Sequence, residues 1–385
     1  VFCNCSITES LFHISAKALH WRAFALISNK DSVMQQLQNT NISKIQRLPS
    51  PENYLDRLPI TDQAAAMIVN GRAEIADILA GRDDRLLVIA GPCSIHDTQA
   101  GIEYIGRLKE LVEKYKDRML ILMRVYFEKP RTTVGWKGLV YDPHLNGSFD
   151  IEHGLELARK FLLTVAEMGV LAATEFLDPI TPQYIADLVS WAAIGARTAE
   201  SQTHRQMSSG LSMPVGFKNG TGGSIQLAVD GMVSASSPHA FLGVDSDGQA
   251  SIVMTKGNPN CHIILRGGSD GPNYDSESVR TTTELLTKSG ISSKIIIDCS
   301  HANSNKDHLL QSVAFRSVLD QRTSGDTNIA GMMLEGNLNP GNQKLNEKDP
   351  SKLEYGVSIT DPCIGWEDTE ILLSEAYDVL GLKSS

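Results

Sequence analysis

Eight short apolar segments, separated by longer amphipathic stretches, dominate the sequence after residue 85 and restrict the folds that it can adopt. They lie at residues 86–90, 120–125, 171–175, 192–196, 215–218, 262–266, 294–298 and 329–334. Most are apolar at nearly every position, which is typical of strands that are buried on both faces of a parallel sheet. The pattern therefore predicts a parallel sheet of eight strands.

The stretches between these segments carry apolar residues at helical spacing, and Asp97 is expected to cap the first helix, at 97–115. Further helices are predicted at 151–168, 182–189, 201–209, 224–235, 275–289, 306–321 and 367–380. Eight strand–helix units predict an α/β fold of the (β/α)8 TIM-barrel type. A doubly wound sheet is the alternative, but its Gly-x-Gly-x-x-Gly turn is missing after the first strand, where the chain reads GPCSIHD.

Three regions are expected outside or upon the barrel of residues 85–385. Residues 34–84 are interpreted as a helical N-terminal extension, and residues 239–256 as a β-hairpin inserted before the sixth barrel strand, around the turn signal at 245–248. The first methionine is Met34. Residues 1–33 are interpreted as a non-native stretch or, alternatively, a targeting leader, and are expected to be poorly ordered.

Charge and composition exclude several classes of partner. The net charge of −10 disfavours nucleic acid, whose binding needs a basic surface. No apolar run reaches the roughly 18 to 20 residues that span a bilayer, so no membrane role is expected. The six cysteines show no zinc-ribbon spacing and are expected to be free thiols in the cytoplasm. Organellar targeting by residues 1–33 stays open.

Polar or reactive side chains occur at or after the end of each predicted strand, and the carboxyl ends of barrel strands meet at one mouth. Five of them are cations: Arg124, Lys129, Arg197, Lys218 and Arg266. So many positive charges in one mouth would repel one another unless anions bind there. Because arginine and lysine suit phosphate and carboxylate groups, the pattern predicts a small, multiply charged, phosphorylated substrate.

A second set consists of Cys93, His301, Glu335 and Asp361. A thiolate, an imidazole and two carboxylates suit a divalent transition metal better than Mg or Ca. The spacing alone is weak support, since a lone cysteine or histidine is more often an ordinary buried or hydrogen-bonded residue. The metal is a hypothesis at this point.

Seven long motifs between residues 91 and 368 connect the chain to a known family, and the resemblance runs from roughly residue 35 to the C-terminus. They are GPCSIHD (91–97), MRVYFEKPRTTVGWKG (123–138), GARTAESQTHR (195–205), PVGFKNGTGG (214–223), HIILRGG (262–268), DCSHANSNKD (298–307) and YGVSITDPCIGWED (355–368). The chain thereby resembles the type I DAHP synthases of bacteria and fungi. This resemblance implies condensation of phosphoenolpyruvate (PEP) with erythrose 4-phosphate to DAHP and phosphate, at the start of the shikimate pathway.

The resemblance also implies roles for individual residues. Cys93, His301, Glu335 and Asp361 would bind Mn, Fe, Co or Zn, and Lys129, His301 and Asp361 are candidates for moving protons. Arg131 and Thr132 would bind the phosphate of erythrose 4-phosphate. The expected PEP site consists of Arg124, Lys129, Glu175, Ala196, Arg197, Lys218 and Arg266.

Inhibition by an aromatic amino acid is a further implication, with the choice between tyrosine and phenylalanine left open. The expected effector residues are Asp178, Pro182, Gln183, Met207, Leu211, Ser212, Phe241 and Val253. The alternative is that Phe241 and Val253 only pack the hairpin onto the barrel. A homodimer or homotetramer is expected.

The chain departs from the family's usual residues at Gly222, Gly336, Pro340 and Pro362, which is expected to weaken support around the site without removing a ligand. Two alternative functions remain. One is a related PEP-condensing synthase of the octulosonate 8-phosphate type, against which the Lys129–Thr133 loop argues. The other is a catalytically idle sensor of aromatic amino acids, which would not need all four candidate metal ligands.

Overall fold

Eight parallel strands form a closed barrel in the computed structural model, which describes residues 37–291 and 294–381. In chain order, and also in order around the barrel, the strands are Leu86–Gly91 (β1), Met119–Arg124 (β2), Leu171–Glu175 (β3), Trp191–Ile194 (β4), Val215–Lys218 (β5), Cys261–Leu265 (β6), Ile295–Asp298 (β7) and Ile329–Glu335 (β8). Strand β1 pairs with β2 on one side and with β8 on the other, where Gly91 lies opposite Glu335. The predicted (β/α)8 architecture is confirmed.

The helices of the described residues precede and alternate with these strands. They are Pro51–Arg57 (α1), Asp62–Leu79 (α2), Thr98–Tyr115 (α3), Ile151–Glu167 (α4), Pro182–Ile185 (α5), Gln202–Ser208 (α6), Gln226–Ala235 (α7), Ser276–Lys288 (α8), Gln311–Thr323 (α9) and Trp366–Leu380 (α10). Asp97 caps α3 as expected, because its side chain accepts hydrogen bonds from the backbone N–H groups of Gln99 and Ala100. Helices α1 and α2 lie within residues 34–84, the predicted helical N-terminal extension, and they belong to the same compact unit as the barrel.

The strands bury both faces, which explains why their sequences are apolar throughout. Alternate residues such as Leu87, Ile89 and Ile264 fill the barrel interior, whereas the others face the helices. Ile75 and Ile78 of α2 join the interior cluster. Since a Cβ on Gly71 would touch Leu171, the first residue of β3, helix α2 covers the barrel where its strands begin.

A polar contact crosses the barrel interior near the N-terminal ends of β4 and β6. Trp191 Nε1 donates a hydrogen bond of 3.0 Å to His262 Nε2. Burial lowers the pKa of His262 to about 4, so the imidazole is neutral at pH 7 and can accept this bond.

The inserted hairpin comprises antiparallel strands Ala240–Val244 and Ala250–Met254, in which Phe241 lies opposite Val253 and Leu242 opposite Ile252. It precedes β6, as predicted. The backbone N–H of Glu52 donates to Ser246 O at 3.0 Å, which ties the tip of the hairpin to α1.

Two predicted helices begin or end differently in the structure. The helix expected at 182–189 ends at Ile185 and continues as a 3-10 turn, Ala186–Leu188. Side chains from other helices bind its free carbonyls, since Arg72 donates to Ala186 O and Val189 O. The helix expected at 306–321 instead follows a 3-10 turn and starts at Gln311.

The described residues before Pro49 form a separate unit, and residues 37–48 of it are exposed. The interpretation of residues 1–33 lies outside the described residues. No described helix has the length and apolar character that crossing a bilayer requires.

Candidate active site

A cavity of about 210 Å³ opens where the barrel strands end. It is lined by Arg124, Lys129, Pro130, Arg131, Glu175, Gly195, Ala196, Arg197, Lys218, Thr221, Arg266, Ser300, His301, Ser304, Lys306, His308, Glu335, Asp361 and Pro362. The structure thus brings all seven expected PEP residues together, with Arg131 beside them. Thr132 is exposed on the same loop but does not line the cavity, and Cys93 is fully buried behind the lining.

Arg124 and Glu335 form a buried ion pair at the ends of β2 and β8. Arg124 Nη2 lies 2.8 Å from Glu335 Oε1, and each side chain is 1% exposed. The guanidinium also donates to Pro92 O and stacks on the ring of Tyr126, at 3.6 Å from the ring centroid. Burial alone would lower the pKa of Arg124, but Tyr126 and Glu335 raise it, so the guanidinium stays charged.

Lys218 and His301 share the buried carboxylate of Asp298. Asp298 Oδ2 lies 2.8 Å from Lys218 Nζ and 3.2 Å from His301 Nε2, while Oδ1 accepts from the hydroxyl of Ser300 at 2.6 Å. Burial alone would raise the pKa of Asp298, but Lys218 and His301 lower it well below its usual value. The carboxylate is therefore ionised and holds both side chains at the mouth.

Lys129 reaches the thiol of Cys93 from the loop after β2. Its Nζ lies 3.1 Å from Cys93 Sγ and 3.2 Å from Cys93 O. Burial and the nearby Glu335 carboxylate raise the pKa of Cys93 to about 11, against the opposing effect of Lys129. The thiol is thus protonated at pH 7 until a stronger positive charge approaches it.

Cys93, Glu335 and Asp361 form a group whose candidate ligand atoms all lie within 4.8 Å of one another. His301 lies beside this group, with Nε2 3.8 Å from Glu335 Oε1 and Nδ1 3.8 Å from Asp361 Oδ2. Cys93 Sγ lies 3.8 Å from Asp361 Oδ2. Ligands bound at about 2.0 to 2.3 Å from one ion would be about 3 to 4 Å apart, which the distance between Cys93 and Asp361 fits. His301 is not part of the group, because its two contacts use different ring nitrogens and its Nε2 lies closer, at 3.2 Å, to Asp298 Oδ2.

Arg197 and Arg266 differ from Arg124 and Lys218, because neither forms an ion pair with a carboxylate within the part of the chain that the structure describes. Arg197 is exposed, and its Nη1 lies 3.4 Å from Pro130 O. Arg266 is half-buried, and burial lowers its pKa, an effect that Arg197 reinforces. Both are placed to bind an incoming anion.

Two buried polar atoms at the cavity have no hydrogen-bond partner among the described residues. They are Nη1 of Arg124 and Oε1 of Glu175. A buried polar group without a partner costs about 1 to 3 kcal/mol. Atoms of this kind in a cavity lining suit a site that a polar ligand completes.

Sequence reasoning did not assign Asp298 or Glu128, although both are fully buried carboxylates next to expected site residues. Asp298 ends β7, three residues before His301, and that position was the available signal. Glu128 accepts hydrogen bonds from Leu177 N, Asp178 N, Thr181 Oγ1 and Tyr141 OH. It thereby connects the Lys129–Thr133 loop to the segment after β3. Lys306 and His308, which also line the cavity, were not assigned either.

The expected effector residues lie on three segments. Asp178, Pro182 and Gln183 follow β3, Met207, Leu211 and Ser212 lie in and after α6, and Phe241 and Val253 face each other in the hairpin. Asn258, which follows the hairpin, donates to Leu211 O and Met213 O. The second segment is therefore tied to the base of the hairpin.

The comparisons with known proteins agree with this geometry. The model of the DAHP synthetase I family matches residues 57–374. The chain belongs to the DAHP synthetase I family. The Tyr-sensitive phospho-2-dehydro-3-deoxyheptonate aldolase of Escherichia coli (strain K12) is 51% identical over 344 residues, which cover 89% of this chain and 96% of that protein.

Other members of the DAHP synthetase I family are similarly close. The Phe-sensitive aldolase of Escherichia coli (strain K12) is 52% identical and covers 88% of this chain and 96% of its own length. The solved structure of phospho-2-dehydro-3-deoxyheptonate aldolase from Francisella tularensis SCHU S4 superposes with a TM-score of 0.86 at 47% identity, covering 89% of this chain and 100% of that one.

Gly336, one of the positions predicted to depart from the family's usual residues, directly follows the candidate ligand Glu335. A Cβ on Gly336 would lie 2.5 Å from Thr369 Oγ1 and 3.0 Å from Tyr104 OH, so this chain packs tightly around the glycine. By contrast, a Cβ on Gly222 would meet nothing within 4 Å. Weakened support at Gly336, Pro340 and Pro362 stays a prediction.

Proposed function

We propose that this protein condenses PEP with erythrose 4-phosphate to DAHP and phosphate. The observation that supports the proposal most strongly is the convergence of five cations with Cys93, His301, Glu335 and Asp361 on one cavity in a member of the DAHP synthetase I family. A small substrate with both a phosphate and a carboxylate group suits such a cavity. An idle sensor would have no use for the buried thiol of Cys93 beside the carboxylates of Glu335 and Asp361.

PEP is held by the cations that line the cavity. Arg197 and Arg266, which have no carboxylate partner among the described residues, contribute forked donors for its phosphate, and Lys218 adds a point charge. The free Nη1 of Arg124 and Lys129 serve the carboxylate. Glu175 and the backbone of Ala196 assist from β3 and the residues after β4.

Erythrose 4-phosphate enters above PEP, with its phosphate on Arg131 and Thr132. Both residues are exposed on the Lys129–Thr133 loop, which suits a second substrate that binds nearer to solvent. Binding both anions at fixed positions removes much of the entropic barrier to their reaction.

A divalent transition metal is part of this proposal. Cys93, His301, Glu335 and Asp361 would hold it, since their donor types suit such an ion better than Mg or Ca. The candidate ligand atoms of Cys93, Glu335 and Asp361 lie within 4.8 Å of one another, and His301 lies beside them. Mn, Fe, Co and Zn are the candidates. When bound, it supplies a Lewis acid that polarises the aldehyde oxygen of the sugar phosphate.

The bond changes follow from this placement. C3 of PEP forms a bond to the aldehyde carbon, whose oxygen gains a proton, while water adds at C2 of PEP and phosphate leaves by cleavage of the C2–O bond. Lys129, His301 and Asp361 lie around the cavity and are the candidates for the proton transfers. The cations keep the released phosphate screened until it leaves.

Regulation and assembly are also part of the proposal. An aromatic amino acid is proposed to bind at the segment of Asp178, Pro182 and Gln183, at the segment of Met207, Leu211 and Ser212, and at Phe241 and Val253. Allosteric control requires two states that differ in effector contacts, and a homodimer or homotetramer would supply further ones. Tyrosine and phenylalanine are both candidates.

Phosphate release from PEP tests the reaction. We expect release only when erythrose 4-phosphate is present, loss of release after exhaustive chelation, and recovery after a divalent transition metal is added back. Full turnover without metal would contradict the metal's role. Faster turnover with arabinose 5-phosphate, a five-carbon sugar phosphate, would instead identify a synthase of the octulosonate 8-phosphate type.

A further inference from the structure

Two loops from opposite ends of the chain meet beside the candidate ligands Cys93 and Asp361. Ser94 Oγ and Thr360 Oγ1 lie 2.8 Å apart, although 266 residues separate them. Ser94 directly follows Cys93, and Thr360 directly precedes Asp361. We call this hydroxyl pair the Ser94–Thr360 clasp.

The remaining polar atoms of Thr360 are also occupied. Its N–H donates to Ser358 Oγ at 3.1 Å, and its carbonyl accepts from Asn342 Nδ2 at 2.9 Å. Ser94 is 1% exposed. The clasp thus joins Ser94, a buried residue shortly after β1, to the loop of Thr360, whose conformation is stabilised by hydrogen bonds within the loop and to Asn342.

The carboxylate of Asp361 is held less firmly than its backbone, which is also joined to Cys93 through Cys363 Sγ, 3.4 Å from Cys93 N and 3.7 Å from Asp361 O. Its side chain is 62% exposed, in contrast to Glu335 at 1%. The contacts of its carboxylate with Cys93 Sγ and His301 Nδ1, both 3.8 Å, are contacts among the candidate ligands themselves. Hence the distance between Asp361 and Cys93 depends on what holds their two backbones together.

We propose that the Ser94–Thr360 clasp is a positioning pair that brings Asp361 within reach of the ion held by Cys93. This proposal rests on the proposed function, because it assumes that these side chains bind a divalent metal. Groups that orient metal ligands through hydrogen bonds contribute about 10- to 100-fold to metal affinity. The clasp acts on the backbone next to each ligand and touches neither substrate.

Cobalt(II) is the probe, because a thiolate bound to it gives a charge-transfer absorption that reports Cys93 directly. Thr360→Val removes the hydroxyl at nearly constant shape, and Ser94→Ala removes its partner. We expect each to raise the Kd for cobalt about 10- to 100-fold. The double variant should be no weaker than the single ones, since both remove the same bond. Thr360→Ser, which keeps the hydroxyl, should restore wild-type affinity.

Thr255→Val is the matched control. Thr255 Oγ1 and Ser209 Oγ form a hydroxyl pair at 2.6 Å, at the base of the hairpin and away from the cavity. Losing this bond should leave cobalt affinity unchanged. Circular dichroism of each metal-free variant checks folding first, and if Thr360→Val does not fold, Ser94→Ala decides the question.

The outcomes separate the two proposals. A wild-type protein that binds no cobalt through Cys93 would overturn both the metal site and the clasp. Wild-type binding that Ser94→Ala and Thr360→Val leave unchanged would overturn the clasp alone. A failure of Thr360→Ser to restore affinity would show that packing of the threonine, and not its hydrogen bond, matters.

Discussion

The barrel mouth and the hairpin differ in what holds their side chains in place. At the mouth, charged groups are buried in pairs within one chain, as in Arg124 with Glu335 and Lys218 with Asp298. On the hairpin, the apolar side chains of Leu242, Ile252 and Met254 are 88%, 75% and 82% exposed. The charged groups at the mouth are therefore held by contacts within a single chain, whereas no part of the chain that the structure describes covers this face of the hairpin.

The largest effect is expected when the best-buried pair is broken. Glu335→Ala leaves the guanidinium of Arg124 buried without its partner, which should lower the free energy of unfolding by about 3 to 5 kcal/mol, measured by urea titration. Turnover should be lost as well. Replacing both partners, with Arg124→Met and Glu335→Leu, should restore most of the stability but no activity. A loss below about 1 kcal/mol for Glu335→Ala would show that the pair is not as dry as the structure indicates.

Glu128 should make stability depend on pH in the unusual direction. Burial raises its pKa from 4.5 to about 7, so between these values the folded protein keeps a proton that the unfolded chain releases. Its contribution is fully present below pH 4.5 and is lost as the pH rises to 7, by about 3 kcal/mol in total. Wild type should therefore lose about 3 kcal/mol of unfolding free energy relative to Glu128→Gln over this range. Glu113→Gln, an exposed control, should show no such trend, and a flat difference for Glu128→Gln would contradict the raised pKa.

Removal of an exposed cavity cation should impair binding without affecting stability. Arg197→Ala should raise the KM for PEP about 10- to 100-fold, as expected for a lost hydrogen bond between charged groups worth about 1.5 to 3 kcal/mol. Because Arg197 is exposed, unfolding should change by less than about 0.5 kcal/mol. Arg280→Ala, on the outer surface of α8, is the control. An unchanged KM would remove Arg197 from the PEP site.

The smallest effect is expected on the outer face of the hairpin. Leu242→Ser should change the free energy of unfolding by less than about 0.5 kcal/mol and leave turnover intact, because its side chain is 88% exposed. Denaturant titrations at two protein concentrations provide the measurement. A loss of unfolding free energy above about 1 kcal/mol that grows with protein concentration would show that a second chain covers this face. The hairpin would then differ from the mouth in needing a second chain to bury its side chains.

The barrel could be predicted because its information is local. Each strand is a run of apolar residues that the structure reproduces within two residues at either end, and Asp97 caps its helix in the expected way. The start of α9 could not be predicted so well. His301, Asn305 and Lys306 adopt left-handed backbone conformations that ordinary residues rarely populate, and the turn they form delays the helix to Gln311.

The side chains of the candidate site were partly predictable for a related reason. Residues at strand ends converge in any parallel barrel, so the positions of Glu335 and His301 followed from the fold. The hydrogen-bond network around these residues did not follow from the fold class. Nothing in the sequence near Glu128 indicates that it receives hydrogen bonds from Leu177 and Thr181, about fifty residues away. Contacts of this kind are specified only by the three-dimensional packing.

The pairing of β1 with β8 has a consequence for the synthesis of this protein. Cys93 and Asp361 are 268 residues apart in the chain, yet they are neighbours only once the last strand has closed the ring. At about 5 to 20 residues per second, a ribosome needs tens of seconds between these two positions. During that time the nascent chain contains Cys93 and several of the cavity cations but does not yet contain Glu335 and Asp361. The proposed reaction can therefore begin only after nearly the whole polypeptide has been made.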